Sequence, residues 1–291
     1  MKQIKYINCF GTSYTAGGGY EFGHRSEYDY VSLIGGEIEG NHLKNESTRK
    51  YPNEEQTRFN FSWPGQLQKI LKTNNSDIVV TNLAKSGYGD ERLFRKTHEI
   101  INSKGFNKDE HIFLFEFAMG PGRRELWSNT LNDYIITNFK FNEDKNMTLH
   151  LHGAANDYFY DDIKTKDTLE EFSNNTLHPF YKETISFKNQ LEIEKRNVDF
   201  FFSYLKHTDI NFMFTQEPGY TSISSFQDLH FIDFKENDLN FVNYYNDLNL
   251  TIKFDTNGKC DDGHMGMTGA KKVSQIIYDR LVEIYDKTKQ I

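Results

Sequence analysis

Ser13 stands in the run Phe10-Gly11-Thr12-Ser13-Tyr14-Thr15-Ala16-Gly17, directly after an apolar stretch that begins at Ile4. Far downstream, Asp261-Asp262-Gly263-His264 stands directly before an amphipathic terminal segment. A serine hydroxyl is a weak nucleophile until a base takes its proton; histidine can do so when a carboxylate fixes its tautomer and balances its charge. Those are the three residue types present. Between them lies Asn82-Leu83-Ala84-Lys85-Ser86-Gly87-Tyr88-Gly89, where Gly87 lets backbone come close to a ligand and offers an unshielded N–H. Each segment also has a plain reading. Ser13 fits a Ser/Thr-rich turn or helix cap, and Gly87 fits a strand-ending glycine turn. Asp261 and His264 fit a turn aspartate and a solvated loop histidine. A spacing of three within one loop can bring Asp261 to the inner nitrogen of His264, with Asp262 as a competing carboxylate.

Elements that would position these residues follow from hydrophobic patterning. Four short apolar runs are bounded by turn residues: Ile4 to Phe10, Ile78 to Ala84, Ile112 to Ala118 and Ile210 to Thr215. Continuous rather than alternating apolar character suits strands buried on both faces, hence a parallel sheet. Helical patterns fall between the runs: Trp63 to Leu71, Glu91 to Ile101, a long segment from Pro179 to Leu205, and about Thr268 to Tyr285. In the last, Ala270, Val273, Ile276, Ile277, Leu281 and Ile284 are spaced for one buried stripe. Strand and helix alternate, which is the pattern of an α/β doubly wound sheet. Such sheets carry their chemistry at the carboxyl ends of the strands, where Ser13 and Gly87 fall. Residues 18–61 and 119–178 lack a clear period and are expected as long loop insertions in a single domain spanning 1–291.

Bulk properties narrow the function classes. The chain has 291 residues, enough for a large core, and 25 Phe with 17 Tyr supply the apolar area. A net charge of -8 and the lack of a basic tract argue against nucleic acid as a ligand. The amino terminus has no apolar signal core, and no window approaches transmembrane length. The expectation is a soluble chain, cytoplasmic by default or carried by a virion, that binds no membrane. Cys9 and Cys260 are too few for a disulfide framework, and Cys9 is expected as a buried thiol.

Several other residues draw attention. His150 and His152 have the spacing of two ligands on one strand face, but a zinc site needs a third; a polar strand is the expectation, with no metal. Gly17-Gly18-Gly19 lacks the lysine of a phosphate-binding loop and the spacing of a dinucleotide fingerprint, so no cofactor is expected. Tyr14, Tyr20, Phe22, Tyr28 and Tyr30 suit either stacking on sugar rings or packing of the first insertion.

Taken together and in order, the three chemistry-bearing segments resemble the blocks of the SGNH (GDSL-type) hydrolases. That resemblance implies a three-layer flavodoxin-like sandwich around a central parallel sheet. The family's nucleophile block Gly-Asp-Ser is matched by Gly11-Thr12-Ser13, its oxyanion glycine by Gly87, and its Asp-x-x-His block by Asp261 and His264. Trp63-Pro64 to Leu71 looks like the family's first helix. Two departures stand out. Thr12 replaces an aspartate that is no triad member. The family's Gly-x-Asn-Asp block has no counterpart in Phe117-Ala118-Met119-Gly120-Pro121-Gly122-Arg123-Arg124-Glu125. Losing such an oxyanion donor typically costs about 3 kcal/mol of transition-state stabilisation. Arg123 or Arg124 is one candidate replacement, Gly153-Ala154-Ala155-Asn156-Asp157 folding back is another, and an ion pair with Glu125 is the plain role for these arginines.

The resemblance thus implies a serine esterase or deacylase without cofactor or metal, acting through Ser13, His264 and Asp261 on a small-molecule or glycan ester. Carbohydrate O-acetyl groups are the favoured substrate. The alternatives are a catalytically silent carbohydrate-binding protein on the same scaffold and an O-acyltransferase.

Overall fold

The computed structural model of the chain describes residues 4–16, 38–39, 42–43, 59–74, 76–84, 89–117, 123–128, 133–141, 147–151, 186–216, 251–253, 261–265 and 267–285. The four apolar runs form one parallel sheet. In chain order its strands are β1 (Tyr6–Phe10), β4 (Val79–Asn82), β5 (His111–Phe117) and β9 (Asn211–Gln216), and their spatial order is β4-β1-β5-β9. Ile7 pairs with Val80 on one side and with Ile112 on the other, and Leu114 pairs with Met213. This is an α/β fold.

Side-chain alternation along the strands divides the interior in two. From β5, Ile112 and Leu114 join an aliphatic cluster, while Phe113, Phe115 and Phe117 join an aromatic one. The aliphatic cluster takes Trp63, Leu67 and Leu71 from helix α2 (Trp63–Thr73) and Ala270, Val273, Ile277 and Leu281 from helix α5 (Met267–Tyr285). The aromatic cluster takes Leu93 from helix α3 (Asp90–Ile101) and Val198, Phe201, Phe202 and Leu205 from helix α4 (Phe187–His207). Phe115 lies edge-on to Phe201 with ring centroids 5.1 Å apart, a favoured aromatic geometry.

Local chemistry sets the helix ends. Ser62 caps α2 by accepting from Gly65 N, with Pro64 in the first turn where its missing N–H costs nothing. Ser186 caps α4 in the same way through Asn189 N. Asp90 and Glu91 place negative charge in the first turn of α3, complementing the helix dipole. The segment expected from Pro179 is helical from Phe187; residues 179–185 lie outside the described residues.

Three segments depart from expectation. The stretch 119–178 is not wholly loop: β6 (Arg123–Ser128), β7 (Asp133–Phe141) and β8 (Met147–Leu151) form a three-stranded antiparallel sheet. Residues 18–61 contain a two-stranded pairing of β2 (Ile38–Glu39) with β3 (His42–Leu43). The segment Asp261–Met265, read from sequence as a loop entering a helix, is instead strand β11, antiparallel to β10 (Thr251–Lys253). Among the described residues no helix is long and apolar enough to cross a membrane.

Candidate functional site

Between β1 and β5 the sheet reverses its direction of winding: the chain leaves β1 for its outer neighbour β4, then returns to β5 on the other side. In open α/β sheets such a point leaves a crevice at the carboxyl ends of the strands. Here β1 runs through Gly11 and Thr12 into a single helical turn, α1 (Ser13–Ala16), so Ser13 opens the turn directly above the switch point.

The turn is fixed from several sides. Thr15 is fully buried, and its Oγ1 donates to Glu116 Oε2 near the end of β5. The same oxygen accepts from Trp63 Nε1 at 3.1 Å. Asn82, the last residue of β4, donates from Nδ2 to Thr15 O at 2.8 Å and to Ser62 Oγ at 3.4 Å. Gly11 is required by close approach, since a Cβ there would run into Thr15 Oγ1 and Glu116 Oε2. Ala16 N donates to Thr12 O at 2.9 Å, closing the turn.

Asp261 and His264 lie in β11, and the structure describes them and Ser13 by backbone. Although they come from opposite ends of the sequence, α1 and β11 lie side by side, with Cα atoms within 8 Å. Thr251 pairs with Met265 and Lys253 with Asp261, so four steps along β11 span two along β10. That irregularity means simple alternation does not assign Asp261, Asp262 and His264 to faces. Gly87 and the run 153–157 lie outside the described residues, as do His152 and Cys260. His150 lies in β8, the expected strand. Cys9 is a free, buried thiol whose pKa burial pushes well up.

Arg124 has other partners than the one expected for it. Its Nε and Nη2 donate to Gln190 Oε1 at 3.2 and 2.7 Å, and its Nη1 donates to Glu91 Oε1 at 2.7 Å. Glu194 lies 3.6 Å from Nη1. Glu125 pairs instead with Arg95, through two bonds of 3.1 and 3.0 Å. These bonds tie β6 to α3 and to α4. Burial holds the Glu194 carboxyl above its ordinary range, against the pull of Arg124 and a hydrogen bond with Asp90. Burial likewise raises Glu125 despite Arg95. Among the described residues no group of three or more His, Cys, Asp or Glu is gathered as metal ligands.

Sequence reading passed over Thr15, Asn82 and Glu116. The signal for Glu116 was present, as a lone acid inside the otherwise apolar run Ile112 to Ala118. Thr15 and Asn82 carried none, because their importance lies in whom they meet. No protein-family model, curated protein or solved structure matches this chain.

Proposed function

We propose that this chain is a serine ester hydrolase whose nucleophile is Ser13, on a three-layer flavodoxin-like sandwich with insertions after β1 and β5. The observation that carries the reading is the meeting of α1 with β11 at the switch point of the sheet. Two segments chosen for complementary chemistry, from opposite ends of the sequence, lie at one place in the fold. Strand order adds support. Counting only the parallel strands in chain order, β4-β1-β5-β9 reads 2-1-3-4, as flavodoxin-like sheets begin.

In the proposed reaction His264 takes the Ser13 proton as Oγ attacks the ester carbonyl. Backbone N–H groups of Ser13 and Gly87 hold the oxyanion, and Asp261 orients the imidazolium and balances its charge. His264 returns the proton to the leaving alcohol; water, deprotonated by His264, then releases the acid from the acyl-serine. Arg124 is committed to Glu91 and Gln190, and the mechanism does not draw on it. Carbohydrate O-acetyl esters are the proposed substrate class, because the sequence of both insertions is polar and aromatic rather than greasy.

Hydrolysis of p-nitrophenyl acetate by wild type and Ser13→Ala tests the reading. The variant is expected to lose at least about a thousandfold in kcat/KM, as removal of a triad serine does elsewhere. Turnover equal to wild type in that variant excludes the mechanism.

A further inference from the structure

We infer that Glu116 is a positioning residue: acting through Thr15, it fixes the turn that carries Ser13, bridging the carboxyl ends of the two strands that flank the switch point. A carboxyl group is costly to bury, and this one is only 2 % exposed in the middle of the sheet. Its strand neighbours Phe115 and Phe117 fill the aromatic cluster, so by alternation Glu116 belongs to the opposite face, the face of Trp63. There it meets Thr15.

Direction in the first link of this hydrogen-bonded chain is fixed by inventory. An indole nitrogen only donates, so Trp63 gives its proton to Thr15 Oγ1. The hydroxyl then has one proton to give, and it goes to Glu116. A carboxyl oxygen closes the chain as its acceptor. The Asn82 amide grips the carbonyl of Thr15 from β4. Side chains from β4 and β5 therefore converge on one residue of the turn that continues β1, two positions after Ser13. Gly11 makes the room this contact needs, since a Cβ there would overlap both Thr15 Oγ1 and Glu116 Oε2. A nucleophile displaced by about 1 Å loses on the order of a hundredfold in rate, so a rigid turn has catalytic value.

The catalytic half of this inference rests on the hydrolase reading; the positioning half does not. Backbone hydrogen exchange at Ala16, the Trp63 indole N–H resonance and p-nitrophenyl acetate kinetics separate them, measured in wild type, Thr15→Val, Thr15→Ser and Glu116→Gln. In Thr15→Val, Ala16 is expected to exchange about ten- to hundredfold faster, the range for leaving buried hydrogen-bond partners unsatisfied. The indole resonance should shift, and kcat should fall by a similar factor with KM held within about twofold. Thr15→Ser should restore all three. Glu116→Gln should fall between, since an amide oxygen can still accept from Thr15 while the NH2 group adds donors that the site does not hold. It also decides the matter should Thr15→Val fail to fold. Wild-type exchange and an unmoved indole resonance in the folded variants overturn the positioning role. Ser13-dependent hydrolysis with wild-type kcat in both Thr15→Val and Glu116→Gln overturns its catalytic consequence and leaves the hydrolase reading standing. Faster exchange with no Ser13-dependent hydrolysis in wild type supports the positioning role and removes the hydrolase reading instead.

Discussion

The same four strands end very differently at their two extremities. At the amino end, polar groups sit at the surface in pairs. Lys5 meets Glu110, and Lys108 meets the 87 % exposed Asp209. At the carboxyl end they are buried: Thr12, Thr15, Asp90, Glu116 and Glu194 are all less than 5 % exposed. Burying a polar group costs free energy unless it is satisfied, and even then a hydrophobic replacement is often as stable. A fold selected for stability alone would show little reason to crowd one end with them. Consistency between local preference and fold breaks down mainly where function is served, so the asymmetry itself points to the carboxyl end.

Removing Arg124 should expose the difference most. Arg124→Met would leave Glu91, Gln190 and the buried Glu194 without their shared donor. Breaking a buried ion pair from one side costs about 3–5 kcal/mol, and urea denaturation should give a loss near the lower figure, because Glu91 is partly exposed. A loss under about 1 kcal/mol would mean that this end is no more integrated than a surface. Gly11→Ala comes next. The new methyl would overlap Thr15 Oγ1 and Glu116 Oε2, and overpacking of this kind costs about 1–3 kcal/mol. Thermal unfolding should register the loss, with a drop in ester turnover beyond that due to unfolding; a variant as stable and as active as wild type would break the claim of a tightly held turn.

The two ends should also answer pH with opposite signs. Burial lowers His111 from its ordinary 6.5, with Glu110 pulling the other way, and the ring lies between Tyr6 and Phe106 at centroid distances of 4.7 and 4.9 Å. The unfolded chain therefore takes up the proton first. Its contribution is whole above 6.5 and is lost as pH falls through the lowered folded value. Glu194 is the reverse: burial raises it above 4.5, so its contribution is whole below 4.5 and is lost as pH climbs through the raised folded value. Stability measured by urea titration from about pH 4 to about pH 8 should show the acid-side loss flattened in His111→Phe and the alkaline-side loss flattened in Glu194→Gln. Unchanged slopes in both variants would dissolve the contrast.

Much of this asymmetry could not be read in advance. The four strands were legible because residues such as Ile7, Ile112, Leu114 and Met213 must be apolar wherever both sheet faces are covered. Helix α5 was legible from the spacing of Ala270, Val273, Ile277 and Leu281. The antiparallel sheet was missed although β8 alternates, with Met147, Leu149 and Leu151 set against Thr148 and His150. Short alternation inside a polar stretch is easily lost among loop residues. Strand β11 has almost no signal, because Asp-Asp-Gly-His has turn chemistry and is made a strand only by pairing with β10. The contacts of Glu116 with Thr15 and of Asn82 with the turn join distant segments, and no local pattern encodes them. Ser13 and His264 were chosen for their chemistry; only folding could bring their segments together.

The smallest prediction concerns the exposed end. Asp209 is the first residue beyond Thr208, the C-cap of α4, and adopts φ 55, a left-handed conformation that glycine takes freely. Its carboxylate meets Lys108 Nζ at 2.8 Å, linking the turn before β9 to the turn before β5. Asp209→Gly should relieve about 1 kcal/mol of backbone cost while giving up an exposed pair worth at most about 0.5 kcal/mol. The net is a gain of about 0.5 kcal/mol, visible as a slightly raised Tm, and the gain should grow with added salt as the pair given up is screened in the wild type. Lys108→Ala, which removes the pair and leaves the backbone alone, should lose less than about 0.5 kcal/mol. If Asp209→Gly instead destabilised the protein by as much as Gly11→Ala, the ion pairs at the amino end would matter as much as the buried network, and burial would no longer distinguish one end of the sheet from the other.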